Sequence, residues 1–197
     1  MIDSTLHHIS SRLNEHLRLR GELAEDAVTL SNLVELDGAV APHIENRLVL
    51  FIVNLAREES FSPQHRRMGS PSGEGQPTGY PELQLNLHLM VAAHFPGNYR
   101  EALKFISAAI SFFQGNPVFT RAGSPGLDPS LDKVVLEIQN LNVQDLSNLW
   151  GILGGKYLPS ILYRVRMIPV DSRAITRITP PIREPITREP MAEDAGP

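Results

Sequence analysis

Apolar and polar positions along this chain follow two rhythms, one of three to four residues and one of two. Near the start, Ile2, Leu6, Ile9, Leu13 and Leu17 recur at helical spacing and share one face. Asp3 and Ser4 offer side-chain oxygens to the first backbone N–H groups, and Gly21 follows the last turn. β-Branched and apolar residues over 28–34 predict a short strand, closed by a turn at Asp37-Gly38. Residues 47–57, RLVLFIVNLAR, hold a continuous apolar run between polar ends, as a central strand covered on both faces does.

The clearest two-residue rhythm is ELQLNLHLMV, residues 82–91. Leu83, Leu85, Leu87 and Leu89 share one face; Glu82, Gln84, Asn86 and His88 share the other. From Met90 to Phe95 both faces are apolar, so the strand runs from a half-exposed beginning into the core. Continued to Phe95 it would be roughly 45–50 Å long at ~3.3 Å per residue, and its polar first half could project towards a neighbour.

The helical rhythm returns over 98–113. Asn98 can cap, Glu101 follows three residues on, and Leu103, Phe105, Ile106, Ala109, Ile110, Phe112 and Phe113 form a wide stripe. Gly115-Asn116-Pro117 ends it. Residues 133–139 alternate again, with Val134, Leu136 and Ile138 inward. Asn142 and Asp145 open a short helix whose stripe is Val143, Leu146, Leu149, Trp150 and Leu153, stopped by Gly154-Gly155. A last strand over 160–170 turns Ile161, Tyr163, Val165 and Met167 to one side and Arg164 and Arg166 to the other.

Two stretches lack either rhythm. Residues 60–79 are rich in Ser, Pro and Gly around a basic His65-Arg66-Arg67 and predict a long mobile loop. From Asp171 the chain is Pro-rich, yet Ile175, Ile178, Ile182 and Ile186 recur at three- and four-residue spacings. The pattern therefore predicts one α+β domain over 1–170, with a mixed or mainly antiparallel sheet of about five strands and three packed helices. An extended Pro-rich tail follows over 171–197. Its 27 residues, at ~3.1 Å each, reach about 80 Å, twice the roughly 40 Å diameter of the domain, so its isoleucines can dock on an adjoining subunit.

With 197 residues, 42% of them hydrophobic, the chain can bury one core. A net charge of −4 and no basic stripe argue against holding nucleic acid by phosphate neutralisation. Cysteine is absent, which excludes disulfides and thiolate metal sites and fits a reducing cytosol. The opening MIDST lacks the features of a signal peptide, and the longest apolar run, 48–53, falls far short of the ~20 residues that cross a bilayer. A soluble chain without membrane insertion is expected.

Candidate chemistry is sparse. The seven histidines contain no HxxxH or HExxH pair, so no metal is expected. GILGGK, 151–156, is not a phosphate loop, because Trp150 stands at the first glycine position and Tyr157 follows Lys156. No Gly-x-Ser-x-Gly elbow exists, so neither an enzyme nor a cofactor is expected. Arg164 and Arg166 can grip an acidic partner or phosphate, or form ion pairs within the sheet.

Five stretches taken together are similar to a known family: LSNLVELDG (30–38), ENRLVLFIVNLARE (45–58), YPELQLNLHLMVAAHF (80–95), NYREALKFISAAISFFQGNPVFT (98–120) and LSNLWGILGGKYLPSILYRVRMI (146–168). Their order and content resemble the N-terminal domain of cap, or tube-terminator, proteins of extracellular contractile injection systems of the Photorhabdus virulence cassette and antifeeding-prophage type. The resemblance implies a phage tail-terminator-like fold and a homohexameric ring on the inner tube, in contact with tube protein and sheath protein. It also implies assembly in the bacterial cytoplasm into a phage tail-like particle that can be released, and it brings no catalytic residues. The partner-facing candidates come from this chain's own pattern: Arg164, Arg166, Glu82, Gln84, Asn86, His65, Arg66, Arg67, Ile175, Ile178, Ile182 and Ile186. Two other roles remain open, a baseplate or tube-initiating adaptor and a small regulatory domain binding a nucleotide or acidic ligand through Arg164, Arg166 and Lys156.

Overall fold

A computed structural model describes residues 1–19, 26–58, 84–154 and 156–169. The expected loop over 60–79 and tail over 171–197 lie outside them.

Local chemistry sets the helices. Helix α1 (Ile2–Leu19) buries Leu6, Ile9, Leu13 and Leu17, as their spacing requires. Helix α2 (Tyr99–Gly115) is capped by Asn98, whose side-chain oxygen accepts from the Glu101 N–H at 3.3 Å. The Glu101 carboxylate turns to Lys104 at 2.5 Å, and the Asn98 N–H is taken by the Phe95 carbonyl at 3.1 Å. The reciprocal half of the capping box is therefore replaced by a main-chain bond. The buried stripe of α2 is Ala102, Phe105, Ile106, Ala108, Ala109, Phe112 and Phe113; Leu103, expected in it, sits on the rim.

Among the described residues six strands form one sheet, in the order β1-β2-β3-β6-β5-β4. Strand β1 (Val28–Leu30) runs parallel to β2 (Arg47–Arg57). Strand β3 (Leu85–His94), β4 (Val118–Thr120), β5 (Leu131–Ile138) and β6 (Ser160–Pro169) complete it with antiparallel pairings. The sheet is thus mixed, and the fold is α+β. Strand β4, three residues long, was not predicted because it is too short to show alternation. The strand predicted over 28–34 stops at Leu30; Val34 instead makes an isolated bridge to Val40 around the expected turn.

Strand β3 also departs from expectation. It is paired on both sides from Leu85 upward, by β2 and by β6. Its described polar residues therefore lie in the middle of the sheet and do not project from it, and Asn86 is only 7% exposed.

The two faces carry separate cores. On the first, Leu48, Leu50, Leu87, Leu89, Val134, Leu136, Tyr163, Val165 and Met167 pack against α1 and α2. On the second, Val49, Phe51, Met90, Ala92 and Leu162 are covered by Leu33, Ala41 and Ile44 of the 31–46 connection and by Trp150 of α3 (Val143–Ile152). Each such large side chain contributes ~1.5–3 kcal/mol when fully buried. Asn142 caps α3 through the Asp145 N–H at 2.8 Å, and Gly154 ends its last turn at φ +94°, where a Cβ would be strained. Ile138 and Val143, both expected inward, are 52% and 83% exposed.

One irregularity sets what the open end of the sheet displays. The β2–β3 register slips between Ile52 and Asn54. A bulge of this kind exchanges the faces of the residues that follow it. Asn54 and Ala56 lie opposite His88 and Asn86 on the second face, while Leu55 joins Leu87 on the first.

Candidate functional site

Beyond Leu162 the second face changes character. The cross-strand register continues it through Asn86 and His88 of β3, Arg164 and Arg166 of β6, and Val135 and Glu137 of β5. Val118 of β4, opposite Val135, lies at its margin and is 45% exposed. The apolar cover over 31–46 and α3 serves the other half of this face; here His88, Val135, Glu137, Arg164 and Arg166 remain half-exposed, and Asn86 is buried among them.

A network of charges holds this region. Glu137 sits directly across from Arg164, whose Nε and Nη2 donate to Glu137 Oε2 at 3.2 and 2.5 Å. Arg166 lies between two carboxylates, Nε 3.3 Å from Glu58 Oε2 and Nη1 3.6 Å from Glu137 Oε1. Asn86, opposite Arg166, donates its Nδ2 to Glu58 Oε2 at 3.0 Å, and its buried Oδ1 has no hydrogen-bond partner. The Arg164 hydrogen bond, with the charges of both arginines, holds the Glu137 carboxyl below its ordinary range against the opposing push of partial burial.

The arginines thus do stand together on the face opposite Tyr163 and Val165, as their alternation requires, but their charges are met inside the chain. Of the two roles open to the pair in the sequence, ion pairs within the sheet are formed, and Glu137 supplies its carboxylate from the neighbouring strand β5. A signal for it was present: Lys133, Val135 and Glu137 occupy the outward phase of the neighbouring strand. Gln84 contributes its backbone, the carbonyl accepting the Glu58 N–H at 2.9 Å. Glu82, His65, Arg66, Arg67, Ile175, Ile178, Ile182 and Ile186 lie outside the described residues. Lys156 precedes β6 at Ser160, while Arg166 lies six residues further on, or ~20 Å along the strand.

Among the described residues no group of three or more His, Cys, Asp or Glu side chains is placed to hold a metal ion. No described helix is long and apolar enough to cross a membrane. A surface cleft beside the end of α1 is lined by Asn14, Glu15, Arg18 and Asp26. Its polar groups engage one another or a near neighbour, Arg18 meeting Asp26 at 2.6 Å and Arg12 meeting Glu15 at 2.5 Å.

The molecule is thus an α+β domain with two helices on one face of a mixed sheet and an ion-paired region on the other. It belongs to the Pvc16 N-terminal domain family, which matches residues 4–184 and agrees with the resemblance carried by the five sequence stretches. Two solved structures are similar to it. One is the sheath/tube terminator, in its extended state, of the extracellular contractile injection system PVC: 18% identity and a TM-score of 0.49 over 97% of this chain and 65% of that one. The other is the tube-terminating cap of the anti-feeding prophage: 15% identity and a TM-score of 0.45 over 92% of this chain and 60% of that one. The chain therefore spans less than two thirds of the length of either. No curated protein matches it in sequence.

Proposed function

We propose that this chain is a structural subunit of the cap that ends the inner tube of a contractile injection particle. Membership of the Pvc16 N-terminal domain family over residues 4–184 carries this reading. In it the chain forms a ring, expected to be six-fold, contacts tube and sheath protein, and catalyses nothing. It assembles in the bacterial cytoplasm and leaves with the particle. The partner-facing surfaces are the ion-paired half of the sheet around Arg164 and Arg166, together with the tail over 171–197. The reading as a small ligand-binding domain is disfavoured, because Glu137 and Glu58 already hold both arginines and Lys156 lies beyond the other end of β6.

Particles from cells lacking this gene should have tubes of uncontrolled length or no mature sheath. Uniform, capped particles of normal length from the deletion strain would overturn the assignment. Removing residues 172–197 should leave a folded domain that fails to lock into its ring or onto the sheath; normal assembly by the truncated chain would remove the tail from the account.

A further inference from the structure

Strand β2 outlasts the neighbour on its outer side. β1 pairs only with Leu48–Leu50, the Leu48 N–H donating to the Ala27 carbonyl at 2.7 Å and the Ser31 N–H to the Leu50 carbonyl at 3.3 Å. Past Ser31 the chain leaves for the cover of the second core, whereas β2 runs on to Arg57. The Glu58 N–H points inward, to the Gln84 carbonyl at 2.9 Å. Backbone groups alternate sides along a strand, so Arg57 and Leu55 turn theirs outward. No described residue pairs with them there. The side chains beside this edge are largely apolar: Leu55 is 53% exposed, and Ile52, Val53 and Ala56 are half-buried. At the other margin of the sheet β4 is three residues long, with Pro117 before it and a turn from Thr120 to Gly123 after it, so that edge is closed to pairing. The stretch of β2 past its bulge, 54–57, contains no proline and one charge, and is a template for a further strand.

The chain itself holds a segment suited to that edge. Residues 174–179 read AITRIT, with four β-branched side chains and no proline, and Pro180-Pro181 bounds them. Arg57, Leu85 and Met167 stand in one row across the sheet. β6 ends at Pro169, just past that row, so the tail starts at the same end of the sheet as the open stretch, with β3 and β2 between. Within one chain its route to the outer side of β2 would cross the connection that joins β2 to β3 at that end, and connections do not cross one another at one end of a sheet. The edge of an adjoining copy carries no such barrier.

We propose that residues 174–179 of one copy add as a strand to the open edge of β2, residues 54–57, in the next copy. Main-chain hydrogen bonds to Leu55 and Arg57 hold the added strand, and one of its β-branched side chains covers Leu55. Each copy gives a segment at one place and receives one at another, so the contact is head-to-tail, the kind that closes into a ring. This inference rests on the ring reading above and names where the tail lands.

The chain contains no cysteine, so introduced ones report on this contact alone. Residues facing each other across paired strands stand about 4.5–5.5 Å apart at Cα, within reach of a disulfide. Full-length Leu55→Cys is co-expressed with a second full-length chain carrying Ile175→Cys, Thr176→Cys, Arg177→Cys or Ile178→Cys, then purified and oxidised; Arg57→Cys takes the place of Leu55→Cys should that variant not fold. One or two adjacent tail positions should give a disulfide-linked dimer of the two chains. In native mass spectrometry the wild type should form a closed oligomer, and Thr176→Pro/Ile178→Pro, which removes two N–H groups outside the described sheet, should associate on the order of tenfold or more weakly. A wild type that stays monomeric at every soluble concentration overturns the ring reading and this inference with it. An oligomer unchanged by the proline pair overturns the tail contact alone. So does the lack of a linked dimer at every tail position, and so does a chain carrying both cysteines that links only within itself.

Discussion

Replacing Glu137 with Gln should weaken the fold and strengthen the grip of the sheet on an acidic partner. The substitution keeps the shape but removes the charge that Arg164 contacts at 2.5 Å and Arg166 at 3.6 Å. Two unit charges 4 Å apart at an effective dielectric of 20 attract by about 4 kcal/mol. Here the side chains of Glu137 and Arg164 are 38% and 41% exposed. Solvent screening and the ordering of two long side chains reduce the net to ~0.5–1 kcal/mol. For a chain of this size that is a fall of about 1–4 °C in Tm. The loss should depend on pH in a defined direction. Glu137 is held below its ordinary pKa by the arginines. Its contribution is therefore fully present above the unfolded carboxylate value of about 4.3 and disappears as pH falls through the folded value. Urea unfolding of wild type, Glu137→Gln, Arg164→Gln and the double variant, at neutral and acid pH, measures it. A coupling energy of zero, or a gap between wild type and Glu137→Gln that persists undiminished into acid, would refute the network as described.

Other perturbations follow from the cores and caps. Trp150, 4% exposed, is the fully buried large side chain that α3 contributes to the second core, so Trp150→Ala should cost about 3–5 kcal/mol in urea unfolding and Trp150→Phe much less. Asn98→Ala should cost ~1 kcal/mol by freeing the Glu101 N–H, and Asp at that position should retain most of it. His8, buried against Phe119 at a ring distance of 5.7 Å, has its pKa lowered by burial first and then by Arg12 and His7. The folded state therefore binds this proton less readily than the unfolded one, so stability should fall as pH drops below about 6.5. In His8→Leu that part of the slope should be missing from melts recorded between neutral and mildly acid pH.

How much of this was legible in the sequence varied with the range of the forces involved. Helix α2 was readable because its cap, stripe and stop are local: Asn98, the Phe105-to-Phe113 spacing and Asn116 each act within a turn. The faces of β5 and β6 were readable from alternation. Alternation says which way a side chain points but not how far the covering layer extends, which is why Ile138 pairs with Tyr163 on the helix-covered face and still stands half in water. The polar phase of β3 suggested exposure, but a neighbour on each side buries Asn86 without changing its sequence signature. The parallel pairing of β1 and the Arg164–Glu137 contact depend on which strand lies beside which, and no local pattern records that.

The separation of the two cores has a further consequence. The helix layer and the first face form a large cluster, whereas the second face is closed by a connection and one short helix, through Leu33, Ala41, Ile44 and Trp150. A cover this small can lift away while the helix-backed sheet stays intact, a sub-global opening cheaper than complete unfolding. Amide hydrogen exchange should then show the 31–46 connection and α3 releasing as one cooperative unit ahead of β3 and β6. The turn over 35–39, with Leu36 fully exposed at its tip, rides on that unit, so anything that held the turn in place would also clamp the cover shut and slow exchange at α3.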